Sequence, residues 1–96
     1  MRLKKFTEKN LLADDACTEG MEFVLPLINK GKDVALALYR AQEWRWLWWA
    51  AIRDYDLSSL GPKQRLAVIK NSGFEHCLCT VCSRARKNIN SAEAKK

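Results

Sequence analysis

The sequence predicts a small all-α protein, a single-domain bundle of four to five helices, and three observations predict it. Apolar residues recur at steps of three and four, no segment alternates as a half-buried strand does, and Gly and Pro fall between the periodic blocks. The 96 residues are 48% hydrophobic and 29% charged, a globular composition with no repeat and no linker. A chain this short buries roughly 60–65% of the surface its unfolded form exposes, so its core is thin. That excludes a multidomain enzyme with its own cofactor domain, and a large enclosed cavity would take its lining from the core.

Thr7 is placed to cap a short helix carrying Leu11 and Leu12. Asp14 or Asp15 then caps a second helix of about four turns, since a carboxylate accepts from the free backbone N–H groups there. Ala16, Gly20, Phe23, Val24 and Leu27 fall on one face of that helix; Pro26 should kink or shorten it, and Gly31 stops it. Asp33 caps the next helix, from Val34 through Ala41, and Gln42-Glu43 either continues it or restarts a new one at Trp44. This block ends around Asp54-Tyr55-Asp56. Ser58, Ser59, Gly61 and Pro62 mark a turn, and Pro62 suits the first position of a last, long helix because the N–H it lacks would be unpaired there. Leu66, Ile69, Gly73, Cys77 and Val81 form its expected buried stripe, with a neighbouring helix passing close at Gly73. Residues 1–86 read as the helical domain and 87–96 as a flexible basic tail.

Four tryptophans, Trp44, Trp46, Trp48 and Trp49, lie within six residues. Trp44 and Trp48 are i, i+4 and align with Ile52 and Tyr55, so this pair is expected in the core. Trp49 lies between Arg45 and Arg53, a stripe of guanidinium, indole and guanidinium. One helix of so small a protein cannot bury indoles around its whole circumference, and at least one should stay partly exposed. Trp and Arg dominate binding hot spots because they bring large area with few rotors and polar handles. The bland reading is that all four simply fill a thin core.

His76, Cys77, Cys79 and Cys82 form a second cluster, with Cys17 far upstream. Cys79-x-x-Cys82 has zinc-knuckle spacing. Along one continuous helix, however, His76, Cys79 and Cys82 drift by about 120° and do not reach one ion. The sequence therefore reads them as core cysteines, with no metal and no cofactor. No apolar stretch of signal-peptide length opens the chain, and the most apolar window, 34–52, is interrupted by Arg40, Gln42, Glu43 and Arg45. The expectation is a cytoplasmic protein with reduced thiols and no membrane association. Catalysis is not expected. The single histidine comes without an orienting acid or an oxyanion loop, and the carboxylates of Asp14-Asp15 and Asp54-x-Asp56 read as helix-end features.

Net charge is +6, and its distribution is uneven. Residues 1–59 balance nine basic against nine acidic side chains, whereas 60–96 hold eight basic and two acidic. Such a field speeds encounter with phosphate backbones or acidic protein surfaces.

Ala16-Cys17-Thr18-Glu19-Gly20-Met21-Glu22-Phe23 resembles the Ala-Cys-x-x-Gly-x-x-aromatic opening of small helical proteins encoded by phages and bacteria. In that group a tryptophan-bearing helix and a further amphipathic helix follow, as Trp44–Trp49 and Lys63–Leu78 do here. The resemblance implies a phage-type modulator of host machinery, such as an anti-CRISPR inhibitor acting in the bacterial host cell. Within the motif, Ala16, Cys17 and Gly20 are small enough to let a second helix pack closely, a structural role. The leading expectation is a non-enzymatic protein that binds a host protein or nucleoprotein complex, a CRISPR effector among them, and blocks nucleic-acid or nuclease engagement by occupancy. Arg45, Trp46, Trp49 and Arg53 are its expected anchors, with Arg84, Arg86 and Lys87 steering association. The alternative is a direct nucleic-acid binder presenting Lys63, Arg65, Lys70, Arg84 and Arg86 to phosphates. A third reading is a homodimer closed through the tryptophan helix.

Overall fold

Six helices build the computed structural model, which describes residues 3–94 and the side chains of 3–90: α1 (Glu8–Ala13), α2 (Thr18–Asn29), α3 (Val34–Arg40), α4 (Trp44–Ile52), α5 (Pro62–Asn71) and α6 (Thr80–Ala94). The all-α class is as expected, with one helix more than the four to five anticipated. Among the described residues the only extended pairing is an isolated parallel bridge between Lys4 and Tyr55. It ties the N-terminal segment to the end of α4.

The helix starts follow local chemistry. Thr7 Oγ1 accepts from the Asn10 N–H at 3.1 Å, and Asp33 Oδ1 accepts from the Leu36 N–H at 3.0 Å. At α2 the cap is not Asp14 or Asp15 but Cys17, whose sulfur takes the Gly20 N–H at 3.4 Å. Asp15 instead lies at φ +56°, in the turn that ends α1. The same left-handed turn recurs at Gln42 (φ +57°) after α3 and at Asp54 (φ +65°) after α4. Gln42 therefore separates α3 from α4, and Trp44 opens a new helix. Pro26 lies inside α2, which ends three residues later, and Gly31 follows at φ +68°.

The long last helix is corrected: α5 stops at Asn71 and α6 begins at Thr80. Gly73 takes φ +85°, a left-handed conformation that a continuing helix does not contain, and nothing lies within 4 Å of where its Cβ would be. Ser72 locks the stop, its hydroxyl donating to the Ile69 carbonyl and accepting from the Phe74 N–H. The buried stripe changes accordingly. Val68, Ile69, Cys82, Ala85 and Ile89 are buried, while Leu66 and Val81 are exposed. α6 runs through the boundary expected at 86/87. Ile89 is fully buried, and Asn88, also buried, donates to the carbonyls of Ala51 and Tyr55 at 3.0 and 3.2 Å. Residues 87–94 are thus helical rather than a tail; 95 and 96 lie outside the described residues.

α4 is the hub and packs against α3, α5 and α6. Its inward face is Leu47, Trp48, Ala50 and Ala51, joined by Leu11, Val24, Leu38, Tyr55, Leu57 and Leu60. Alanines at 50 and 51 let α6 approach closely. The radius of gyration is 12.5 Å, that of one compact domain of this length.

Candidate functional site

The tryptophan helix divides its rings unequally. Trp48 alone is sealed, at 4% exposure, and stacks on Phe74 with centroids 5.9 Å apart. Its expected core partner Trp44 is only half-buried and meets Tyr39 edge-on at 5.4 Å. Trp46 and Trp49 are also half-buried. They tilt against each other at 5.0 Å and begin an aromatic row that continues from Trp49 to Tyr55 (5.7 Å) and from Tyr55 to Phe6 (4.9 Å).

Both ends of this row are anchored. At one end the Trp46 indole lies directly over Gly20 of α2, occupying the space of a side chain. This is the close approach expected of the small residues in the Ala16–Phe23 motif, met by a tryptophan side chain. Towards the other end, before Phe6, the buried Tyr55 donates to Asp14 Oδ2 at 2.8 Å, and Lys4 Nζ meets the same oxygen at 2.5 Å. Partial burial pushes the Asp14 carboxyl up. The bonds from Lys4 and Tyr55, with the charges of Lys4 and Arg53, outweigh that and hold it below its ordinary value. Burial, and then the bond to Asp14, push the Tyr55 phenol well above its ordinary value.

The outer faces of Trp46 and Trp49 look onto a shallow hollow of about 290 Å³ walled by Asp15, Cys17 and Arg45. A second hollow of about 520 Å³ shares Arg45 and Trp49 and reaches Phe74; a third, of about 250 Å³, shares Cys17 and Trp46 and reaches Phe23. Exposed Arg45 stands on the ridge between the first two, and exposed Arg53 lies over the Trp49 ring at 6.0 Å. The structure thus brings together Arg45, Trp46, Trp49 and Arg53. It adds Phe23 and Phe74, both exposed, which sequence reasoning missed. Phe23, expected on the buried face of α2, is exposed, and Met21 is buried beside Val24 instead.

The basic residues of the last third do not form one surface. Arg65 is 2% exposed and donates to the Leu60 carbonyl, so it is removed from any phosphate-binding set. Arg84 pairs with Asp54 through Nε and Nη2. Arg86 holds the 72–79 loop, donating to the carbonyls of Phe74 (2.8 Å) and Cys77. Lys63, Lys70 and Lys87 are exposed.

Breaking the helix at Gly73 also rearranges the cysteines. Cys79 immediately precedes α6 and its sulfur accepts from the Cys82 N–H at 3.4 Å; Cys77 Sγ lies 3.4 Å from Cys79 Sγ. The three sulfurs all fall within 4.8 Å of one another. The Cys82 N–H on its sulfur, then the Cys77 and Cys82 thiols, bring Cys79 down to about 7. Burial, then the bonds to Cys77 and Cys79, push Cys82 up to about 12. His76 points away, 93% exposed, with Nε2 3.5 Å from Glu75. Cys17 belongs to the tryptophan hollow.

Comparison with protein-family profiles, with curated proteins and with solved structures returns no match. No helix among the described residues is long and apolar enough to cross a membrane.

Proposed function

We propose that this chain is a non-enzymatic binding protein that acts by occupancy, docking on a host protein or nucleoprotein complex through the face built on Trp46 and Trp49. In the phage-encoded, anti-CRISPR-like role its Ala16–Phe23 motif resembles, it would cover a surface that a CRISPR effector needs for nucleic-acid or nuclease engagement. One observation carries the reading: two half-buried indoles in contact, flanked by exposed Arg45 and Arg53, open onto linked shallow hollows. Flat aromatic area is held in place by the Tyr55 row, so little rotamer freedom is lost on docking. The two guanidiniums favour a partner surface that carries carboxylates there. The hollows are open and lined chiefly by aromatic rings, which suits a face that covers a partner surface.

Arg45→Glu/Arg53→Glu is the discriminating variant, because both side chains are exposed, and a thermal melt checks that the double reversal keeps the fold. A purified effector complex should lose nuclease activity when the wild-type protein is added and keep it with the variant. Equal inhibition by both proteins excludes this face. Direct nucleic-acid binding is disfavoured by the burial of Arg65 and by the internal bonds of Arg84 and Arg86. It is checked by titrating labelled single and double strands at low salt, where a phosphate-binding protein associates tightly and loses affinity steeply as salt rises.

A further inference from the structure

On one continuous helix from Pro62 the cysteine side chains would diverge and could not share a metal ion. That helix does not exist. Cys77 and Cys79 lie in the loop between α5 and α6, and Cys82 lies in the first turn of α6. The side chain at a helix cap folds back over the first turn to take the N–H three residues on, which brings Cys79 and Cys82 together. Cys77 arrives from the loop at 3.4 Å from Cys79, with its carbonyl gripped by Arg86 of α6.

We infer that Cys77, Cys79 and Cys82 form a three-thiolate site for a soft, thiophilic metal ion that clips the 72–79 loop to the first turn of α6. Around a tetrahedral zinc ion with Zn–S near 2.3 Å, sulfurs stand about 3.8 Å apart. The three here lie within 4.8 Å of one another, so closing on an ion moves each side chain by an ångström or less. Three sulfurs and no carboxylate select against magnesium and calcium, and favour Zn²⁺ or Cu⁺. On binding, each thiol gives up its proton to solvent and its sulfur donates a lone pair to the metal, with no change of oxidation state. The Arg86 guanidinium, close to Cys77, and the α6 N-terminus both offset the negative charge that three thiolates bring. Three protein ligands leave a fourth position for solvent on a zinc ion. His76 is outside the cluster and is not one of the ligands assigned.

The probes are Zn²⁺ and Cu⁺ alone, added to the reduced 96-residue chain without oxygen and followed by native mass spectrometry and competition with a chelator. One equivalent of at least one ion should bind and raise the melting temperature, by mass action on the folded state. The two arms show which ion is preferred. Cys77→Ser and Cys79→Ser should each weaken binding by roughly a hundredfold, in keeping with the large free energy of thiolate–zinc sites. Cys17→Ser, outside the cluster, should leave it unchanged. A Co²⁺ spectrum with thiolate charge-transfer bands, lost in Cys79→Ser, gives the same answer independently of stability. The site is refuted if neither ion binds stoichiometrically, or if Cys17→Ser is as damaging as Cys79→Ser. None of these outcomes bears on the tryptophan face.

Discussion

At Gly20 the chain presents a hydrogen where any other residue would place a carbon, and Trp46 uses that space. A Cβ built there would stand 1.9 Å from the indole Cζ2. Gly20→Ala should therefore displace Trp46 and destabilise by about 1–3 kcal/mol despite its better helix propensity. The check is a denaturant melt with a red shift of tryptophan emission. Asp14 makes a second residue-scale prediction. Its folded pKa lies below the 3.8 of an unperturbed aspartate, so the stability it adds is present above that pH and is lost as pH falls through the folded value. Asp14→Asn should cost about 1–2 kcal/mol at neutral pH. In an acid series, the gap between wild type and variant should close as the pH drops below 3.8. That Gly20 is small for a packing reason was legible in the sequence. That an indole from α4, rather than a helix backbone, would rest on it was not, because the contact joins residues far apart in the chain. Arg65 was illegible for a similar reason: its buried partner is a backbone carbonyl, which no sequence pattern displays.

Each helix end solves a local problem, and here the sequence was most and least informative. Starts were readable where a side-chain oxygen stands before a periodic run, as at Thr7 and Asp33, and where a proline, Pro62, takes the first helical position. Stops were not, because three of them use left-handed conformations at Asp15, Gln42 and Asp54 rather than at glycine. For Gln42, which lacks aspartate's local side-chain bonding, that conformation costs energy. Gln42→Gly should raise stability by about 0.5–1 kcal/mol in a thermal melt, the left-handed strain relieved less the extra entropy glycine loses. The break at Gly73 was hidden by a spacing of three and four that ran across it, and only the positive φ and the Ser72 bonds reveal the stop. The reach of α6 was more visible than the basic composition of the tail allowed: Cys82, Ala85 and Ile89 continue an apolar stripe. Ile89→Ala should cost about 2–5 kcal/mol. A chain ending at Arg86, which also loses the Asn88 bonds to the end of α4, should fail to melt cooperatively.

Over the whole molecule, the arithmetic of volume holds in part. A bundle of 34 × 26 × 26 Å seals one indole of four, and the other three stay half-buried around α4. Aromatic area was thus expected at the surface, but not its extension to Phe23, which lay on a stripe read as core, or to Phe74, which follows the unforeseen break at Gly73. The charge asymmetry was correct as a count and misleading as a surface, because folding turns Arg65, Arg84 and Arg86 into internal ties. The proposed docking face for a macromolecular partner is the Trp46–Trp49 surface framed by Arg45 and Arg53. The measurement that tests it most directly is parallel affinity purification from host lysate with wild type and Arg45→Glu/Arg53→Glu, quantified by mass spectrometry, with melts confirming that both are folded. A discrete complex should form with the wild type and be lost with the double variant. Equal recovery of the same proteins by both, or nothing above background with either, contradicts it.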